Sequence, residues 1–335
     1  MAVRDQPCSP MSMSLAKRDI TALPKGRHLI RVGQRPGFSA FVLRGTPGPI
    51  AVINAGTHGD EYEGPTVLRE LVEMIEPRKL TGTLVIIPVL HEAAFFGGTR
   101  CHPIDGSNLA RVFPGDPRGN NSARVAHLFL RKILRHADYY IDLHSGGVSY
   151  DLLPWVGFMQ SGSQERDQTQ ARMTACFDDY WCWSSRYNPG RTISAAADAG
   201  IPAIYAEALG GGGVGPVDQT GFHRGLKNFL MRFGFLAGKM PRLKPQVMRV
   251  ATSNTEAHIQ LHHPAPVAGL FIRVVEPGHK VQEGGRLGEI HALGKRAPVT
   301  VRASHAGTVV SLRRQRSVAV GDALATVVAL PKLPR

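Results

Sequence analysis

Three short stretches, far apart in the chain, each end an apolar run with a side chain able to bind a metal or move a proton. They are Ile50-Ala-Val-Ile-Asn-Ala-Gly-Thr-His58-Gly-Asp-Glu61, Tyr139-Tyr-Ile-Asp-Leu-His144 and Ile204-Tyr-Ala-Glu207. In open α/β sheets, ligands bind outside the carboxyl ends of the strands, because loops from different strands converge there. One crevice could therefore hold two imidazoles and two carboxylates. Such a set suits a catalytic zinc ion, which takes three protein ligands and keeps one position for water. His58 and Glu61 lie three positions apart at a strand-to-helix junction, so both can reach one ion as the chain turns. Among fourteen histidines that spacing alone is unremarkable. What sets this pair apart is the apolar strand before it and the glycines, Gly56 and Gly59, that bracket the histidine. His144 supplies a third ligand after a second strand. Asp142 could orient a ligand imidazole through its other ring nitrogen, or it could be a capping or turn residue. His91, His102, His223, His262 and His263 have no spacing partner as good as Glu61.

These residues need a scaffold, and the pattern around them describes one. His28-Leu-Ile-Arg-Val, Phe38-Ser-Ala-Phe-Val-Leu and Ile50-Ala-Val-Ile read as strands separated by Gly/Pro turns. From Tyr62 to Ile75 the period becomes helical, with Val67, Leu68, Leu71, Val72 and Ile75 recurring on one side, and Glu76-Pro77 closes the helix. Thr83 to Leu90 is an apolar run of the kind buried on both faces of a sheet. A second helix around Ala123 to His136 leads into the strand Tyr139 to Leu143. This alternation predicts an α/β fold with a mixed central sheet flanked by helices. Residues 161 to 200 are less legible. Trp181, Trp183 and Tyr187 within them are candidates either for a pocket lining or for core.

Near Met240-Pro-Arg-Leu-Lys-Pro245 the pattern breaks. Gly269-Leu-Phe-Ile-Arg-Val-Val aligns with Gly307-Thr-Val-Val-Ser-Leu-Arg, and Val281, Gly284, Leu287 and Ile290 align with Val318, Gly321, Leu324 and Val327. Repetition of short strands and turn glycines implies a small all-β module made of two similar halves. The division expected is residues 1–245 for the site-bearing domain and 250–335 for the module. On turn and strand spacing the tail resembles the biotinyl/lipoyl-like sandwich. Lys295 occupies about the place of that superfamily's modified lysine, but the usual flanking signature is missing. A structural or oligomerisation role is the expectation, and a homo-oligomer with it.

The chain has 335 residues and a formal charge of +14. From residue 250 onward eleven Lys/Arg face five Asp/Glu, so the excess is spread along the chain rather than gathered in a stripe. With aromatic residues at 7%, stacking platforms for bases are scarce, and nucleic acid is not an expected partner. Attraction of small anionic substrates is the more useful consequence of the charge. The cysteines, Cys8, Cys101, Cys176 and Cys182, have no Cys-x-x-Cys spacing and fit a reducing cytoplasm. No stretch reads as a signal peptide or a membrane span.

The combination Asn54-Ala-Gly-Thr-His58-Gly-Asp-Glu61-Tyr-Glu-Gly64, Pro103 to Gly115 with Asn108-Leu-Ala-Arg111, Asp142-Leu-His144-Ser-Gly146 and Glu207 resembles the succinylglutamate desuccinylase/aspartoacylase family, relatives of zinc carboxypeptidases. The resemblance covers about residues 28 to 235. It extends over nearly the whole chain in the branch that has a β tail and includes deacylases of N-acetylated diamino acids. It implies one zinc ion held by His58, Glu61 and His144, with Glu207 as general base and then general acid. It implies that Arg100 polarises the scissile carbonyl, and that Arg111 and Asn108 contact a substrate carboxylate. Zinc chemistry and a carboxylate proton shuttle suit a poor electrophile such as an amide. The expected activity is removal of an acyl group from an N-acylated amino acid or similar small carboxylate. A carboxypeptidase and a catalytically silent binding protein of the same fold are the alternatives. One departure bears on specificity: Ala110 stands where the family has an asparagine, and it cannot donate the amide hydrogen bond.

Overall fold

The computed structural model describes residues 11–12, 22–244, 248–250, 262–294 and 296–329. Eleven strands lie in its first part: β1 (Met11–Ser12), β2 (Gly26–Gly33), β3 (Gly37–Arg44), β4 (Thr46–Asn54), β5 (Thr81–Ile87), β6 (Tyr139–Ser145), β7 (Tyr150–Leu152), β8 (Trp155–Met159), β9 (Trp181–Ser185), β10 (Ala203–Ala208) and β11 (Met248–Val250). All but β7 join one mixed sheet in the order β1-β2-β3-β5-β4-β6-β10-β8-β9-β11. Its centre, β5-β4-β6-β10, is parallel.

Six helices among the described residues cover the sheet: α1 (Glu63–Met74), α2 (Glu92–Gly97), α3 (Asn121–Lys132), α4 (Gln164–Thr174), α5 (Thr192–Asp198) and α6 (Pro216–Arg232). The central strands are apolar on both faces, which is the condition for helices on both sides. Ala51 and Ile53 of β4, Ile141 and Leu143 of β6, and Ile204 and Ala206 of β10 pack with Val67, Leu68, Leu71 and Val72 of α1 and Phe222, Leu226 and Phe229 of α6. Full burial of each Val, Leu, Ile or Phe side chain among them stabilises the fold by about 1.5–3 kcal/mol. The alternate residues Ile50, Val52, Tyr140 and Ala203 pack on the other face with Val125, Ala126 and Phe129 of α3 and Ile193, Ala195 and Ala196 of α5. Asn54, Asp142, His144, Tyr205 and Glu207 share the parity of this second set, so the strand period places them on the α3/α5 side.

Seven further strands follow: β12 (Gly269–Arg273), β13 (Lys280–Val281), β14 (Arg286–His291), β15 (Val299–Arg302), β16 (Gly307–Arg313), β17 (Ser317–Val318) and β18 (Ala325–Val328). The two halves of the sequence repeat exchange their short strands: β17 pairs with β12, and β13 pairs with β16. Phe271, Leu287, Ile290, Val309, Leu312, Leu324 and Val327 form the shared core. The strand β7 breaks a simple division of the chain, because it pairs antiparallel with β16 rather than joining the large sheet. Lys295 and residues 245–247, where the expected boundary falls, lie outside the described residues. No helix among the described residues is long and apolar enough to cross a membrane.

Candidate metal centre and active site

His58 sits in the turn between β4 and α1. Gly56 takes φ +61°, a conformation that a side chain resists, and a Cβ on Gly59 would lie 2.0 Å from the backbone of Ala94. Both glycines are therefore required for the turn to fold against α2. The turn brings His58 and Glu61 to His144, which ends β6 in register with Glu207 of β10. One donor atom from each of His58, Glu61 and His144 lies within 4.8 Å of the others.

Neighbours fix the orientation of each donor. Nδ1 of His58 lies 3.1 Å from the carbonyl of Arg100, which can only accept, so Nδ1 carries the proton and Nε2 keeps its lone pair. His144 places Nε2 2.9 Å from Asp142 Oδ2 and Nδ1 2.9 Å from Glu61 Oε2. Asp142 is fully buried and also receives bonds from Asn54 Nδ2 at 2.9 Å and from the Thr192 hydroxyl. That network holds the carboxylate against His144, which is the orienting arrangement and not a turn cap. Glu61 is gripped in its turn by Arg100 Nη1 at 2.9 Å and by the Ser145 amide at 3.1 Å.

The electrostatics follow from this wiring. Burial, then the charges of Arg100 and His144, hold the His58 pKa well below its usual range, so the imidazole stays neutral. Burial works against charge on His144, but Asp142 and Glu61 outweigh it and hold its pKa well above the usual range. A nitrogen at that distance from Glu61, with its partner nitrogen already facing Asp142, demands a positive charge between the two groups. A proton or a metal ion meets that demand. Two nitrogens and a carboxylate form a donor set that fits zinc with an open position. Burial, reinforced by Glu61 and Asp142 and opposed by His144 and Arg100, pushes Glu207 up to about 8.

A pocket of about 90 Å³ opens over these groups. His58, Arg100, Arg111, Asp142, His144 and Glu207 line it, together with Ala110, Trp155, Met159, Asn188, Arg191, Thr192 and Tyr205. Burial, then Arg191 and Arg100, lower the Arg111 pKa to about 10. Asn108 does not reach the pocket lining. Its side-chain oxygen accepts from the Ala110 amide at 2.9 Å and caps the short 3₁₀ turn 109–111. Through that bond Asn108 helps shape the turn that carries Arg111. Trp181 and Trp183 are core, Tyr187 is exposed, and Trp155 is the tryptophan that faces the pocket.

Arg191, Asn188, Trp155 and Tyr205 did not emerge from the sequence. Arg191 carried one usable signal: it is the N-cap of α5, where the helix dipole disfavours a cation. An arginine there needs another reason. The Phe113 amide bonds to the Gly190 carbonyl at 3.2 Å and draws the Arg111 and Arg191 loops together. His91 and His102 are buried side by side, with His91 Nε2 3.2 Å from Ser122 Oγ and His102 Nε2 3.1 Å from Asn121 Nδ2.

Residues 47–232 match the model of the succinylglutamate desuccinylase/aspartoacylase catalytic domain. The chain is 28% identical over 290 residues to an N-alpha-acetyl-L-2,4-diaminobutyric acid deacetylase of Halomonas elongata, covering 85% of this chain and 84% of that protein. Among solved structures, a succinylglutamate desuccinylase from Silicibacter sp. TM1040 superposes with a TM-score of 0.84 at 26% identity, over 98% of this chain and 100% of the other. The product-bound ectoine utilization protein EutE (DoeB) of Ruegeria pomeroyi gives 0.81 at 27% identity, over 95% and 98%.

Proposed function

Because this chain belongs to the succinylglutamate desuccinylase/aspartoacylase family, we propose that it is a zinc-dependent amidohydrolase that removes an acyl group from an N-acylated amino acid or similar small carboxylate. The observation that carries this reading is the convergence of His58, Glu61 and His144 beside Glu207. The deacetylase name of the Halomonas relative supports the amide chemistry.

His58 and His144 would hold the ion through the nitrogens left by their bonds to Arg100 and Asp142, and Glu61 through its carboxylate. Zinc bound there would supply a Lewis acid that polarises the acyl carbonyl and brings the pKa of water to about 7. Glu207 takes the proton from the attacking water and returns it to the departing nitrogen. The new C–O bond forms first, the C–N bond then breaks as the nitrogen is protonated, and the products are a free carboxylate and an amine. Arg100 faces the carbonyl and stabilises the oxyanion while it holds Glu61 in place. Arg111 and Arg191 together receive the substrate carboxylate, for which a guanidinium's planar fork is well shaped. Asn108 shapes the Arg111 turn. Ala110 leaves the pocket wall without an amide donor, and loss of such a bond to a charged group is worth about 1.5–3 kcal/mol. The substrate is therefore expected to differ from one that relies on that contact. A small anionic N-acyl compound in the cytoplasm, with neither nucleic acid nor membrane as partner, completes the reading.

The test is direct. Purified protein is incubated with a panel of N-acetyl and N-succinyl amino acids and with N-blocked dipeptides, and released amine is measured. Release from the acyl amino acids supports the proposal. Release of a C-terminal amino acid from the dipeptides alone would make the protein a carboxypeptidase. No release from either, together with well under one zinc per chain, would favour a silent binding protein.

A further inference from the structure

The segment after Glu207, Ala208-Leu-Gly-Gly-Gly-Gly213, forms a turn fixed by its own amides. Gly210, Gly211 and Gly212 all adopt positive φ, at +85°, +78° and +70°. The Gly210 amide donates to Glu63 Oε1 at 2.9 Å, Gly211 to the Tyr150 carbonyl at 3.1 Å and Gly212 to the Gly147 carbonyl at 2.8 Å. The Leu152 amide donates to the Leu209 carbonyl at 2.8 Å. One edge of β7 is thus bonded to the chain that has just left Glu207.

The other edge of β7 belongs to the C-terminal sheets. Tyr150, Asp151 and Leu152 pair with Arg313, Leu312 and Ser311 of β16. The Leu153 amide donates to Val310 and the Arg314 amide to Ser149, each at 2.8 Å. Asp151 lies at the middle of this ribbon. Its carboxylate takes Arg273 of β12 on Oδ2 and Arg314 Nη1 at 3.0 Å on Oδ1. A Cβ on Gly211 would sit 2.7 Å from Arg314 Nη1 and 2.9 Å from Asp151 Oδ1. The ion pair therefore rests directly on the glycine turn.

We propose that Asp151, clamped by Arg273 and Arg314, is a positioning residue through which the C-terminal sheets hold the Leu209–Gly213 turn and, through it, the carboxylate of Glu207. The catalytic part of this inference rests on the proton-shuttle role of Glu207. The structural part does not. The simpler alternative is a tether that joins the C-terminal sheets to the rest of the chain without touching catalysis. The difference lies in the turn: a tether would leave its glycine amides as they are, whereas a brace would not. A displacement of about 1 Å in a reacting group can cost about a hundredfold in rate, so a slack turn is expected to be felt in kcat.

The experiment uses the full-length metal-loaded protein and the variants Asp151→Asn, Arg314→Ala and Arg314→Lys, with zinc content measured for each. Asp151→Asn should lower kcat about tenfold or more with little change in KM, the signature of an interaction that matters in the transition state. Arg314→Ala should do so more mildly, and Arg314→Lys should restore most of the loss. Amide exchange at Gly211 and Gly212 should accelerate about tenfold or more in Asp151→Asn and Arg314→Ala while the β6 amides stay protected. Unchanged exchange in that turn, or a lower melting temperature with kcat intact, would overturn the proposal. If the turn loosens as expected but Glu207→Gln proves fully active, the brace stands and the assignment of Glu207 falls.

Discussion

The metal side of the site and its substrate side are made differently. His144 and Glu207 stand in register at the ends of neighbouring strands, and His58 and Glu61 follow a third strand through a turn with no room for side chains at its glycines. Every donor on that side is cross-bonded: His58 to Arg100, His144 to Asp142, and Glu61 to Arg100 and Ser145. The substrate side comes from irregular connections, with Arg111 in a single 3₁₀ turn and Arg191 at the N-cap of a short helix. Its arginines repel each other. A rigid side that repeats one chemistry, faced by a loop side that can vary, is the arrangement expected where a family keeps a reaction and changes its substrate.

That contrast can be broken by experiment, and the largest effect should come from the rigid side. Glu207→Gln should leave zinc content near wild type and reduce turnover by about a hundredfold or more; equal turnover would remove Glu207 from the reaction. Asp142→Asn should weaken zinc binding by about ten- to a hundredfold, measured by competition with a chromogenic chelator, because it loosens the grip on His144. On the loop side, Arg111→Ala and Arg191→Ala should each raise KM about tenfold or more with zinc content unchanged. Loss of metal in either variant would mean that the two sides are not separable.

A separate test, read in stability and not in turnover, concerns the scaffold under the loops. Burial, then His102, lowers the pKa of His91 to about 4. The folded state therefore disfavours the proton that the unfolded chain accepts below its ordinary value near 6.5. The His91 contribution to stability is fully present above about pH 6.5 and is lost as the pH falls toward 4, at a cost of about 3 kcal/mol. Urea unfolding of the wild type and of His91→Gln across that window should show a shallower pH slope for the variant. Parallel slopes would remove His91 as the cause.

The same contrast explains what the sequence could disclose. Alternation along β4, β6 and β10 is a local property, so the face that carries Asn54, Asp142, His144 and Glu207 was readable from spacing. So was the repeat that becomes β12–β14 and β16–β18, because turn glycines and core valines recur at a near-constant offset. Arg191 was not legible, since its approach to Arg111 depends on a bond between Phe113 and Gly190, far apart in the chain. Spacing placed Asn108 beside Arg111 but could not reveal that the Ala110 amide would bond to its side-chain oxygen. Neither could it show that β7 pairs with β16 outside the large sheet, or that the glycine run after Glu207 is a turn pinned by its own amides.

The proposed chemistry depends most on His58, Glu61 and His144 sharing one ion. Elemental analysis of protein purified without chelator, alongside His144→Ala prepared identically, is the most direct test. Close to one zinc per chain in the wild type and far less in the variant is the predicted result. Equal zinc in both, or wild-type hydrolysis that survives complete metal removal, would contradict it.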